Sequence, residues 1–221
     1  YAVLGTVVLL IAVVFSRVKL PEIGQEAEKE KAETGKSGTS LWKTASFTMG
    51  LLSLFLYVAA QTGINSFFIN YATENAGVTA QTASVWLSFG GMGLFMLGRM
   101  GGSWLMRFVK GEKVLATCAA GGLICMAAVI FLPGKVGWYF LLLCFLCESI
   151  MFPTIFSLSL RHVDKKTKQA SSYLIMSIVG GAIAPMLMGF IADHISMATG
   201  FIVPLVCFVE ILWFATQYKK L

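Results

Sequence analysis

Long apolar runs separated by short polar stretches dominate the chain. Six of them, at residues 45–71, 80–105, 114–132, 137–160, 170–192 and 198–217, are each near the roughly 20 residues that a helix needs to cross a hydrocarbon core about 30 Å thick. A shorter apolar segment, residues 1–16, opens the chain. Inside a bilayer the backbone finds no water, so runs of this length predict membrane-spanning α-helices. The only long polar stretch, residues 17–44, carries Pro21, Gly24, Gly35 and Gly38 among interspersed Glu and Lys. Such a composition buries no core, and it predicts a flexible or partly helical linker. The remaining connections are short, as in a compact helical bundle.

The cations refine this into a topology. Arg17, Lys19, Lys29, Lys31, Lys36 and Lys43 lie in the first connection, and Arg99, Arg107, Lys110 and Lys113 near the third. Arg161, Lys165, Lys166 and Lys168 lie in the fifth, and Lys219 and Lys220 at the end. Only Lys135 falls in the intervening connections. Short cytoplasmic connections retain Lys and Arg, so the pattern predicts that these alternate loops and the 218–221 tail face the cytoplasm. The net charge of +6 is then explained by orientation and contact with anionic lipid, not by nucleic-acid binding. An opening span (1–16), an inside linker (17–44) and six spans (45–217) form the plan of the second half of a twelve-span transporter. The expected fold class is an all-α membrane bundle. Tyr1 in place of Met, within a run too short to span, reads as a fragment whose first span is cut and whose N-terminal six-span half is missing.

Several chemistries are not indicated. Cys118, Cys125, Cys144, Cys147 and Cys207 all sit in apolar runs, and Cys144 with Cys147 has metal-like spacing but no accompanying His or second pair. Packing is the better reading, and no metal or other cofactor is expected. No nucleophile–base set or phosphate-cradling glycine loop appears, so the chain does not read as an enzyme.

Polar residues inside the spans are the candidates for function. Tyr57, Gln61, Asn65 and Phe68 recur at helical spacing on one face. Carboxamides donate and accept hydrogen bonds, which suits neutral hydroxylated solutes, and an aromatic packs on the apolar face of a sugar ring. The competing reading is hydrogen bonding between helices. Gly63 admits either a ligand or a second helix. Glu148 lies near the middle of its span, where a charge is expensive, so it is a candidate for a proton or a solute or else a partner for a neighbouring helix. Glu210 is also deep, and a structural role is expected there. Pro153 and Pro185 sit inside spans and predict helix breaks of either a moving or a static kind. Gly98, Arg99, Gly102 and Arg107 are expected at the cytoplasmic end of a span, either as a gate that latches another helix's C-terminal carbonyls or as simple anchoring.

The runs Gln61–Tyr71 (QTGINSFFINY), Gly98–Trp104 (GRMGGSW), Phe152–Leu158 (FPTIFSL) and Gly180–Asp193 (GGAIAPMLMGFIAD) resemble the C-terminal half of the fucose-permease branch of the major facilitator superfamily. The resemblance spreads over residues 45–217. It implies import of monosaccharides such as L-fucose, glucose or galactose together with protons, across a bacterial inner membrane. It also implies that Phe152 lines the cavity, and that the acids that couple transport lie mainly in the other half, leaving Glu148 better suited to sugar contact. The superfamily's glycine motif often carries an acid where this chain has Gly102.

The expected function is proton-coupled monosaccharide symport by alternating access, with Gln61, Asn65, Phe68, Glu148 and Phe152 as substrate contacts and Glu148 as proton-coupling candidate. The alternatives are a uniporter or exporter for another polar solute, and a membrane sensor or scaffold.

Overall fold

In the computed structural model, the described residues are 41–161, 163 and 167–218, together with Thr6, Leu9 and Val13. The chain divides into two units, Tyr1–Thr39 and Ser40–Leu221. In the first, Thr6, Leu9 and Val13 are helical. The rest of the expected opening span, linker residues 17–40, His162, Lys165, Lys166, Lys219 and Lys220 lie outside the described residues.

The second unit is helical, with no strand among the described residues. A short 3-10 turn, Leu41–Lys43, leads into α1, Ala45–Glu74, which runs through thirty residues without a proline. Gly77, at φ +66°, turns the chain where a side chain would be strained. Thr79 then caps the next helix by accepting a hydrogen bond from the Thr82 N–H at 3.3 Å. That rod is composite: α2 (Ala80–Val85), a π-helical turn (Trp86–Gly91) and α3 (Met92–Leu105). It is followed by α4 (Gly111–Phe131), and a turn at Gly134, φ +116°, leads to α5 (Lys135–Glu148) and α6 (Met151–Leu160). Next come α7 (Thr167–Met176), a 3-10 turn (Ser177–Val179) and α8 (Gly180–His194), which contains Pro185. The Ser196 hydroxyl caps α9 (Met197–Gly200), and α10 (Ile202–Gln217) ends the bundle.

Among the described residues, five segments are long and apolar enough to cross a membrane: Ala45–Glu74, Gly111–Phe131, Lys135–Leu160, Thr167–His194 and Met197–Gln217. The expected span at 80–105 is helical but falls outside that set. Gln81, Thr82, Ser84 and Ser88 and a run of glycines dilute its hydropathy.

At the centre α1 packs on α6, α8 and α10, and α4 packs on α5 and α10. The enclosed side chains are largely aromatic: Phe47, Tyr57, Phe68, Tyr71, Phe145, Phe201, Phe208 and Phe214. Large rings bury the most apolar surface per residue, and small residues let the helices approach closely around them. Gly180, for example, sits against the carbonyl oxygen of Phe55, where a Cβ would collide with backbone. By contrast α3 buries none of its residues, and Met96, Met100 and Trp104 lie open on its surface.

Candidate functional site

The span Lys135–Leu160 breaks in its middle. α5 ends at Glu148 and α6 begins at Met151, just before Pro153. Proline has no N–H, so the carbonyl four residues back, that of Ser149, loses its helical partner. Side chains from two other helices reach the carbonyls at the break. The Nε–H of Arg99 in α3 donates to Ser149 O at 3.2 Å, and the buried Tyr57 hydroxyl in α1 donates to Glu148 O at 2.9 Å. The Ser149 hydroxyl itself turns back to Leu146 O at 2.7 Å. An unpaired carbonyl at this depth would cost several kcal/mol, and that of Ser149 is answered from a neighbouring span.

The glycines of the Gly98–Gly102 run make that reach possible. A Cβ on Gly98 would meet the Ser149 side chain and would stand 2.7 Å from Leu146 O, and one on Gly102 would come within 2.9 Å of Ile150. The run therefore seats directly on the break. Arg99 is exposed on the unit's surface, lies 4.9 Å over the Phe95 ring and forms no ion pair among the described residues. Arg107 is exposed beyond the end of α3.

Aromatics gather beside the break. Phe152 lies 6.1 Å from Tyr57 and stacks on Phe156, centroids 6.3 Å apart at 17°. Both rings of the stacked pair are half-buried. Along α1, Gln61 and Asn65 are also half-buried. The Asn65 side-chain N–H donates to Gln61 O at 2.9 Å, and its Oδ1 is buried without a partner. The half-open set is thus Gln61, Asn65 and Phe152.

Phe68 and Glu148 are instead enclosed. Phe68 is 0% exposed, edge-on to Phe145 at 5.7 Å. Glu148 is also 0% exposed; its Oε1 accepts from the Cys144 thiol at 3.6 Å, and Oε2 has no partner. Gly63 faces Met188 and Ala184 of α8, so its smallness serves a second helix. Pro185 stands in α8 one turn after Gly181, which packs against Thr62. The described residues include no group able to hold a metal ion, and all five cysteines are free thiols. Phe156 and the carbonyl-capping role of Tyr57 escape the sequence reading. The spacing of Phe152 and Phe156, four apart on a helix, is the signal that could have found the aromatic pair.

Comparison with known proteins agrees with this architecture. The family model described as Major Facilitator Superfamily matches residues 1–178. The chain is 37% identical over 223 residues to the L-fucose-proton symporter of Escherichia coli (strain K12), covering 97% of this chain and 50% of that protein. It is 32% identical over 222 residues to a glucose/galactose transporter of Brucella abortus biovar 1 (strain 9-941), covering 100% of this chain and 53% of that one. A crystal structure of the transporter FucP in the outward conformation superposes with a TM-score of 0.84 at 33% identity, over 99% of this chain and 53% of that chain. The chain spans about half the length of the curated relatives it matches. These relatives are transporters rather than enzymes, and the helices form a multi-pass membrane protein. The chain belongs to the major facilitator superfamily.

Proposed function

We propose that this chain forms the C-terminal half of a proton-coupled monosaccharide carrier that works by alternating access in a bacterial inner membrane, with its C-terminus in the cytoplasm. Similarity to sugar carriers along the whole chain supports the substrate class. The observation that carries the mechanism is the broken span beside the half-open Gln61, Asn65 and Phe152. Discontinuous helices at the bilayer midplane are where such carriers bind their solutes.

In this reading the carboxamides of Gln61 and Asn65 exchange hydrogen bonds with sugar hydroxyls, the unpartnered Asn65 Oδ1 accepting one. Phe152 packs on the apolar face of the ring, and Phe68 backs the site from inside the bundle. Glu148 accepts or carries a proton once movement at the break opens its enclosure. A second six-span half of the same protein completes the cavity; Gly98, Arg99 and Gly102 hold the gate segment against the break, and Arg107 anchors its cytoplasmic end.

The test is uptake of radiolabelled L-fucose, glucose and galactose by the complete protein, with and without an inward proton gradient. Gradient-stimulated accumulation of at least one sugar is expected. Gln61→Ala and Asn65→Ala should each raise KM by about tenfold, the scale of one lost hydrogen bond to a buried group. Unchanged uptake of every sugar in both variants sinks the assigned face. Uptake indifferent to the gradient makes the protein a uniporter.

A further inference from the structure

Arg99 does more than latch a carbonyl. Its partner Ser149 lies near the middle of the 26-residue span Lys135–Leu160, roughly 15–20 Å from either end at 1.5 Å per residue. The guanidinium is therefore well inside the hydrocarbon layer and open on the surface of this unit. A cation at that depth does not face lipid cheaply, so this side is wet or covered. Among the described residues no carboxylate pairs with it. Its Nε edge is taken by Ser149 O, and Phe95 shelves the group at 4.9 Å. A guanidinium carries five N–H donors in a fixed planar fork, so the edge turned away from Ser149 keeps several of them. One helical turn on from Ser149 comes Phe152, stacked on Phe156, with both rings half-open. A fan of fixed donors held one helical turn from a half-open aromatic pair supplies the two features that recognise a polyhydroxylated ring, donors for its oxygens and an apolar surface for its C–H face.

We propose that Arg99 is a specificity-determining contact for the transported solute, its free edge donating hydrogen bonds to one hydroxyl, or an adjacent pair, of a monosaccharide that rests on Phe152 and Phe156. This rests on the sugar-transport reading above and adds a contact that the carboxamides of α1 do not supply. It also explains why residues 98 and 102 are glycines. The arginine must stand close enough to the break to be oriented by Ser149 O, and a Cβ at either glycine would push α3 away.

The experiment measures uptake by the complete protein in energised vesicles, using L-fucose, glucose and galactose and the monodeoxy analogues of each. In the wild type, one deoxy position should raise KM by about tenfold, the scale of a charged hydrogen bond. In Arg99→Lys, which keeps a cation for Ser149 O but loses the fork, the parent sugar's KM should rise by a similar factor while that deoxy penalty disappears. Penalties at the other positions should stay as they were. A variant that loses kcat alike for all analogues, with every deoxy penalty intact, shows a merely structural arginine and overturns the proposal. Should Arg99→Lys fail to insert, Phe95→Leu removes the shelf and should shrink the same single penalty, and an unchanged penalty there is equally adverse. If the wild type takes up none of the three sugars, the transport reading itself fails and this contact goes with it.

Discussion

The Tyr57 hydroxyl donates a 2.9 Å hydrogen bond to the main-chain oxygen of Glu148 and so ties α1 to the point where α5 ends. Both partners are fully buried, and the bond joins residues 91 positions apart. It places the helix of the carboxamides and the broken span in one mechanical unit. Arg99 does the same from α3 at the next carbonyl, so three helices meet at a single interruption. A proline break held by two side chains can move only if those bonds are exchanged or travel with it, and that ties its movement to α1 and α3.

Tyr57→Phe removes the donor and little else. The tie between α1 and the end of α5 would then be lost, at a cost of about 0.5–1.5 kcal/mol. We expect the variant to insert and to superpose on the wild type, but to unfold at a lower temperature when purified in detergent, with tryptophan fluorescence as the readout. An unchanged midpoint would show that the carbonyl finds another donor.

Two glycines of the run, Gly98 and Gly101, should respond differently. At Gly98 a Cβ would stand 2.7 Å from Leu146 O, a backbone atom that cannot swing aside. At Gly101 it would meet nothing within 4 Å. Gly98→Ala should therefore destabilise by about 1–3 kcal/mol through overpacking. Gly101→Ala should be neutral, or stabilising by up to about 1 kcal/mol, because alanine is the better helix former. Comparing the thermal midpoints of these two variants isolates the steric effect from the change of residue type.

Much of the fold was legible because membrane spans announce themselves through length. The apolar runs at 45–71, 114–132 and 198–217 appear as helices within three residues at each end, bounded by signals such as Gly77, Gly134 and Ser196. The 80–105 rod was harder, since its glycines and hydroxyls hold its hydropathy below that of its neighbours, and its π-helical turn has no proline to mark it. Pro153 flagged the break to within a turn, but nothing local names the groups that answer it: Arg99 is 50 positions away from Ser149, and Tyr57 farther still. Linear position put Arg99 toward the end of its rod, whereas its side chain bonds the middle of another. Side-chain reach and depth are three-dimensional quantities. Periodicity grouped Tyr57, Gln61, Asn65 and Phe68 on one stripe, yet 100° per residue smears such a stripe widely enough that Tyr57 and Phe68 end fully buried while Gln61 and Asn65 do not.

A second intramembrane carboxyl gives a test of structure free of transport. Ser53 in α1 donates to Glu210 Oε1 in α10 at 2.9 Å, while Oε2 is buried without a partner. Ser53→Ala leaves the whole carboxyl unanswered and should cost about 1–3 kcal/mol. Glu210→Leu should cost less, because it removes the unsatisfied acceptor together with the bond. In the double variant the two losses should not add, since they share one interaction. Strict additivity would separate the pair energetically despite the contact.

Glu148 poses the sharpest functional question. It is wholly enclosed, one carboxyl oxygen meeting the Cys144 thiol at 3.6 Å and the other meeting nothing, at the residue whose carbonyl Tyr57 holds. Glutamine has nearly the same shape and never takes up or releases a proton, so Glu148→Gln keeps the packing and removes only the exchangeable charge. If Glu148 carries the coupled proton, the variant should still exchange labelled for unlabelled sugar across a vesicle membrane, a process that needs no net proton movement. It should fail to concentrate sugar when a proton gradient is imposed. Wild-type accumulation ratios in Glu148→Gln would remove this residue from coupling, and the orphaned oxygen would then be a cost the bundle carries for packing alone. Loss of both exchange and accumulation, with normal membrane insertion, would point to a direct role in solute binding.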